Sequence, residues 1–136
     1  MTTPPPRHHR VLIAGLKFDA PGSTAQHFGP PAAIAKAVQD DLAVAERAGF
    51  SHTDLLFDPD RNLEEQVGQF EAYLRSGKFD AVMIGVGVRL VPEHTLLFER
   101  LVNLCRVIVP DIPWVFNTRP GTTTEALYRV FGKPGG

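Results

Sequence analysis

The chain alternates between two hydrophobic rhythms. Val11 to Leu16 is a short continuous apolar run, as a strand buried on both faces requires. A loop bearing glycine and proline follows, from Lys17 to Gly29. Pro30 and Pro31 suit the first turn of a helix, where a missing N–H costs little. Ile34, Val38, Leu42 and Ala45 then recur at helical spacing, and Gly49 supplies a stop. Thr53 to Phe57 predicts a second strand, with Asp58-Pro59-Asp60 as the turn after it. Asn62 and Glu65 are spaced as a capping box for a second helix. Its inner face is Leu63, Val67, Phe70 and Leu74, and Gly77 ends it. Ala81 to Val88 predicts a third strand. A third helix opens at Glu93 or Thr95, with Leu97, Leu101, Leu104 and Ile108 on one face. Ile112 to Phe116 predicts a fourth strand. Thr122 and Glu125 are spaced as another capping box, starting a fourth helix with Leu127, Val130 and Phe131 on its apolar face.

Strands that alternate with helices form parallel sheets through right-handed crossovers, with helices on both faces. The expectation is an α/β fold: a three-layer α/β/α sandwich of four parallel strands in the flavodoxin-like order 2-1-3-4. The predicted domain runs from residue 10 to 132. Residues 1–9, with three consecutive prolines, read as a disordered tail, and residues 133–136 as a flexible end. In such sheets the ligand crevice lies at the carboxyl ends of the strands, at the switch point between strands 1 and 3.

Charge narrows the partners. The net charge of −1 offers no basic excess to neutralise a phosphate backbone, which argues against nucleic acid. No apolar run approaches the roughly 20 residues that span a bilayer, and the first residues hold no secretory h-region. Cys105, the lone cysteine, cannot form an internal disulfide. It reads as a small buried hydrophobe on the third helix. Together these features predict a protein of the reducing cytoplasm.

The carboxyl edge gathers the candidate chemistry. Residues 85 to 94 read GVGVRLVPEH, so Arg89 follows the third strand and Glu93 and His94 come soon after. A guanidinium there either grips a carboxylate or phosphate in bidentate fashion, or pairs with Glu93 or caps a helix carbonyl. Gly85 and Gly87 allow close approach of a ligand or of another backbone. His94 and His27 are candidate general acids or bases. Glu93 and Asp19 are candidates to orient a histidine or to act as a base themselves; Glu93 also complements a helix dipole. The segment FNTRPGTTTE, from Phe116 to Glu125, places Asn117, Thr118, Arg119 and Thr122 at a helix start, where backbone N–H groups suit an anion. The same residues serve equally as turn and cap. Lys17, Ser23 and Thr24 of the first loop and Asp58 of the second belong to this edge. The amino edge offers little beyond Phe79, Asp80 and Asp111.

Absent motifs matter as well. The first loop, GLKFDAPG, is not G-x-G-x-x-G, and no Walker loop or G-x-S-x-G elbow occurs. A phospho-accepting receiver wants acids where Gly15-Leu16-Lys17 and Arg89 stand. The sugar-phosphotransferase carrier of this fold is similar in layout and in Gly22-Ser23-Thr24, but its cysteine nucleophile has no counterpart here. No histidine and acid pair lies at ligand spacing within one element, so no metal and no cofactor is expected.

Three runs carry a family resemblance: IGVGVR (Ile84 to Arg89), LFERLVN (Leu97 to Asn103) and VPDIPWVFNT (Val109 to Thr118). From Val11 to Phe131 the chain resembles a family of small flavodoxin-like α/β proteins with no assigned activity. The resemblance implies the fold and adds no chemistry. Function therefore rests on the edge. The first expectation is a protein that binds a small anionic metabolite there as a cofactor-independent lyase, isomerase or hydrolase. The alternative is a non-catalytic module that senses a nucleotide or anion and acts as a dimer. A scaffold without a small-molecule site is the third. Leu96, Phe98 and Val102 are left over once the third helix's core stripe is assigned, which predicts a homodimer contact through helix 96–108.

Overall fold

The computed structural model describes residues 8–17 and 28–133. Four parallel strands form one sheet in the order β2-β1-β3-β4: β1 is His9–Leu16, β2 Phe50–Phe57, β3 Ala81–Ile84 and β4 Trp114–Val115. The helices are α1 (Pro31–Arg47), α2 (Leu63–Arg75), α3 (Val86–Leu90), α4 (Thr95–Ile108) and α5 (Thr123–Phe131), with a 3₁₀ turn at Pro92–His94 before α4. This is the flavodoxin-like three-layer sandwich, in the strand order that the alternation of elements predicts.

The strand alternation sorts two cores. Leu12, Ala14 and Leu16 of β1 point to one face, where Val67, Phe70 and Leu74 of α2 and Leu97, Leu101 and Cys105 of α4 cover them. Val11 and Ile13 point to the other face, under Leu42 and Ala45 of α1 and Ala126 and Leu127 of α5. Full burial of a side chain such as Phe70 or Leu101 contributes about 1.5–3 kcal/mol. Phe98 and Val102 pack against the α2–α4 core. The wide apolar stripe of α4 is thus largely used inside the molecule. Leu96 stays out, 75% exposed. Among the described residues no helix is long and apolar enough to cross a membrane.

Element ends depart from the sequence expectation at informative places. The third strand stops at Ile84, four residues before Val88. Gly85 N–H gives a last ladder bond to Ala14 O, and then Val88 and Arg89 N–H both turn back to Gly85 O. A short apolar run has the same signature in a buried strand and in a buried helical turn. The fourth strand is shorter than Ile112–Phe116. Pro113 can only accept, and does so from Val82 N–H, while Phe116 O accepts from the Arg129 side chain at 2.7 Å.

The two capping boxes differ. Asn62 accepts Glu65 N–H at 3.2 Å, as its spacing predicts. Thr122 does not cap α5 with its side chain. Asp41 of α1 reaches across instead: its carboxylate accepts Thr124 N–H at 3.1 Å, and its carbonyl accepts the Thr124 hydroxyl at 3.0 Å. A helix start capped by another helix ties the two together. Asp41→Ala should cost about 1–2 kcal/mol, as loss of an N-cap does, and Asp41→Asn, which keeps an acceptor, should cost less. The readout is a lowered urea midpoint with an unchanged slope.

Candidate functional site

The chain leaves β1 toward α1 on one face and leaves β3 toward α4 on the other. Two neighbouring strands whose connections diverge leave a crevice between them. The structure holds a cleft of about 200 Å³ there. Its floor is Ile13 and Gly15 of β1 with Met83 of β3, and its wall is Ile34, Val38 and Leu42 of α1. Val86, Gly87 and Pro120 close one end, and Asp54 and Leu56 of β2 border the other side. A Cβ on Gly15 would stand 3.1 Å from Leu56 Cδ2, so glycine at this point keeps the floor clear. The lining is mainly apolar. Among the described residues its polar side chains are Gln39, Asp54, Asn117 and Thr123, and Asp54 is the charged one. Asp54 Oδ1 lies 3.2 Å from His52 Nδ1, and His52 Nε2 lies 3.8 Å from Glu46.

Arg89 belongs to α3, not to a strand, and its helix turns the side chain onto the end of β4. The guanidinium donates to Asn117 O and lies 4.9 Å over the Phe116 ring. Burial lowers its pKa from the ordinary arginine value, and its Nε is enclosed without a partner among the described residues. Arg89 does not line the cleft. The carbonyl it meets belongs to the loop after β4 and not to a helix. Asn117 completes the joint. Its Oδ1 accepts Val86 N–H at 2.9 Å, and its Nδ2 donates to Arg119 O at 3.2 Å.

The loop after β4 is also closed on itself. The Thr122 hydroxyl accepts from Thr118 N–H at 3.1 Å and Arg119 N–H at 3.3 Å, and donates to Arg119 O at 2.8 Å. This hydroxyl occupies the Thr118 and Arg119 N–H groups, and Asp41 occupies that of Thr124. Thr118 and Arg119 are exposed, while Asn117 and Thr122 are buried. Among the described residues of the expected binding set, Asn117 lines the cleft.

His94 is buried, 8% exposed, with Nε2 enclosed and unpartnered among the described residues. Glu93 is exposed. Among the described residues no hydrogen bond or ion pair joins Arg89, Glu93 and His94: the Arg89 guanidinium is on Asn117 O, and His94 Nε2 has no partner. Asp19, Ser23, Thr24 and His27 lie outside the described residues. Lys17 and Arg61 each approach Asp58 Oδ2 to 3.6 Å. The amino edge is richer than the sequence suggested: a second depression there, of about 410 Å³, is bordered by His8, Arg10, Ser51 and Lys78. Among the described residues no group of three or more histidine, cysteine or acidic side chains is placed to hold a metal ion.

Sequence reading missed Asp54 and the α1 wall. The strand signal did contain Asp54, a carboxylate two residues before Leu56 on the same face. The α1 residues read only as core. Comparison of the chain with protein-family models, with curated proteins and with solved structures finds no match. What fold and site define is a doubly wound α/β protein with an apolar cleft at its switch point.

Two measurements check these assignments. Asn117→Ala strands the buried Val86 N–H and should lower the unfolding free energy by about 1–3 kcal/mol, read by denaturant titration. Burial pushes the Cys105 thiol up to about 11. A disulfide reagent at mildly alkaline pH should therefore modify the native protein about a hundredfold more slowly than the urea-unfolded chain.

Proposed function

We propose that this protein is a non-catalytic binding module, and that its cleft takes a small ring-bearing metabolite with a hydrogen-bond-donating or cationic substituent. The observation that carries this reading is the cleft itself: an apolar slot at the switch point, with Asp54 as its charged lining residue. An apolar cavity of about 150 Å³ holds a benzene ring, so a volume of about 200 Å³ suits one substituted ring. Apolar walls with a few placed polar groups are the usual build of a small-molecule site. Gln39, Asn117 and Thr123 supply the remaining polar contacts.

The non-catalytic half rests on what surrounds the slot. General acid–base catalysis needs a titrating group within hydrogen-bond reach of the reacting atoms. Among the described residues no histidine lines the cleft, and no acid pairs with the His94 ring. An anionic substituent finds one feature in its favour. Two basic side chains, Lys17 and Arg61, flank Asp58 at the adjoining strand ends, each 3.6 Å from its Oδ2. That is the second reading, and it revives the expectation of an anionic metabolite.

A thermal-shift panel separates the two. Wild type, Asp54→Asn and Val38→Phe are screened against aromatic amines, nucleobases, FMN, NAD(P), phosphates and small carboxylates. A ligand at about 100 times its dissociation constant adds about 2.7 kcal/mol, a shift of several degrees for a domain of this size. Ring-bearing donors should stabilise the wild type, with less effect on Asp54→Asn and none on the filled cleft of Val38→Phe. Stabilisation by phosphates or carboxylates that survives Asp54→Asn would favour the anionic ligand. No shift with any class removes the small-molecule reading.

A further inference from the structure

β2 is an outer strand of the sheet, and its inner side is fully used. His9 N–H donates to Gly49 O, and Lys17 N–H donates to Phe57 O at the far end. In a parallel pair the residues whose backbone faces the neighbour alternate. Ser51, Thr53 and Leu55 therefore turn N–H and C=O toward β1, and His52, Asp54 and Leu56 turn theirs outward. Among the described residues nothing hydrogen-bonds those outward backbone groups. The strand, FSHTDLLF, carries no proline and no lysine, the common devices that keep an exposed edge from pairing.

The side chains on this edge form a pattern. The register Val11↔His52, Ile13↔Asp54 and Gly15↔Leu56 sets all three on the face of α1 and α5. They are a base, an acid and a leucine that is 42% exposed. We propose that β2 pairs antiparallel with β2 of a second copy of this chain, about a two-fold axis at Thr53, joining the two sheets into one.

Charge selects the register. A symmetric pairing centred on Asp54 would put two carboxylates face to face, and one centred on His52 would put two imidazoles face to face. Centring on Thr53 sets each His52 opposite Asp54 of the second copy and each Leu56 opposite Phe50. Opposite charges directly across an antiparallel pair stabilise it, and like charges oppose it. The pairing His52 and Asp54 already make within one strand, at 3.2 Å, shows that the two side chains lie on one face within reach. Glu46, 3.8 Å from His52 Nε2, adds to the acid facing the imidazole. The axis stands normal to the sheet, so both clefts open on the same face. Each has its Asp54 and Leu56 border against the second copy. The partner strand thus completes the open side of the cleft.

The test is the mass of the full chain in solution, by light scattering and by sedimentation across a concentration series. Wild type should reach twice the 14.9 kDa protomer mass. Asp54→Pro removes an outward N–H and no bond to β1, and should run at the protomer mass with its circular dichroism unchanged. His52→Asp places two carboxylate pairs across the axis and should weaken association about tenfold. His52→Asp combined with Asp54→His exchanges the charges and should restore it. A wild type that stays at the protomer mass throughout overturns the proposal. So does a dimer that survives both Asp54→Pro and His52→Asp, a dimer lost to Leu96→Glu on α4 alone, or a charge exchange that fails to restore association.

Discussion

The amide of Asn117 holds the carboxyl end of this molecule together. The polypeptide must turn sharply where β3 stops, inside a protein interior that does not tolerate unpaired backbone groups. Asn117 Oδ1 accepts the Val86 N–H that the ladder has just abandoned, and Asn117 O accepts the Arg89 guanidinium at the other end of the same short helix. One residue thereby fixes both ends of α3 to the exit of β4. Its Nδ2 pins the following loop at Arg119, and Thr122 closes that loop from the other side. With this joint in place, Val86, Gly87 and Pro120 become one end of the cleft.

The same joint explains why the edge is less charged toward a ligand than its composition suggests. Arg89, Asn117, Thr118, Arg119 and Thr122 are all where the topology puts them, at strand and helix ends. The side chains of Asn117 and Thr122 and one nitrogen of Arg89 are bonded within this set or to Val86. A guanidinium committed to a carbonyl and stacked on Phe116 is a strut. The cleft beside it is left to α1 and to the outer strand, and the outer strand supplies Asp54. Among the described residues the charged side chain of the cleft thus comes from the edge strand, while the segments after β3 and β4 contribute Val86, Gly87, Asn117 and Pro120. A partner on that strand would act directly on the site.

Several features were legible along the chain because they are periodic. The β and α rhythms of Val11–Leu16, Ile34–Ala45, Val67–Leu74 and Leu97–Ile108 fix which face of each element is apolar, and the alternation of types restricts the sheet to parallel pairing. The order 2-1-3-4 follows from the need to cover both faces of a short sheet. Local caps such as Asn62 are legible for the same reason: donor and acceptor lie three residues apart, and helix geometry brings them together.

The sequence by itself therefore determined the layers, the strand order, the buried faces and the edge at which the cleft lies. Tertiary structure decided which of the described polar residues at that edge line the cleft. Val86 to Arg89 is a turn of helix because Asn117, thirty-one residues away, offers an acceptor there. Thr122 does not cap its own helix because Asp41, eighty-three residues from Thr124, does so instead. Asp54 borders a cleft because α1 folds over it. Each of these outcomes depends on a hydrogen bond or contact between distant segments, and no local period records such a pairing.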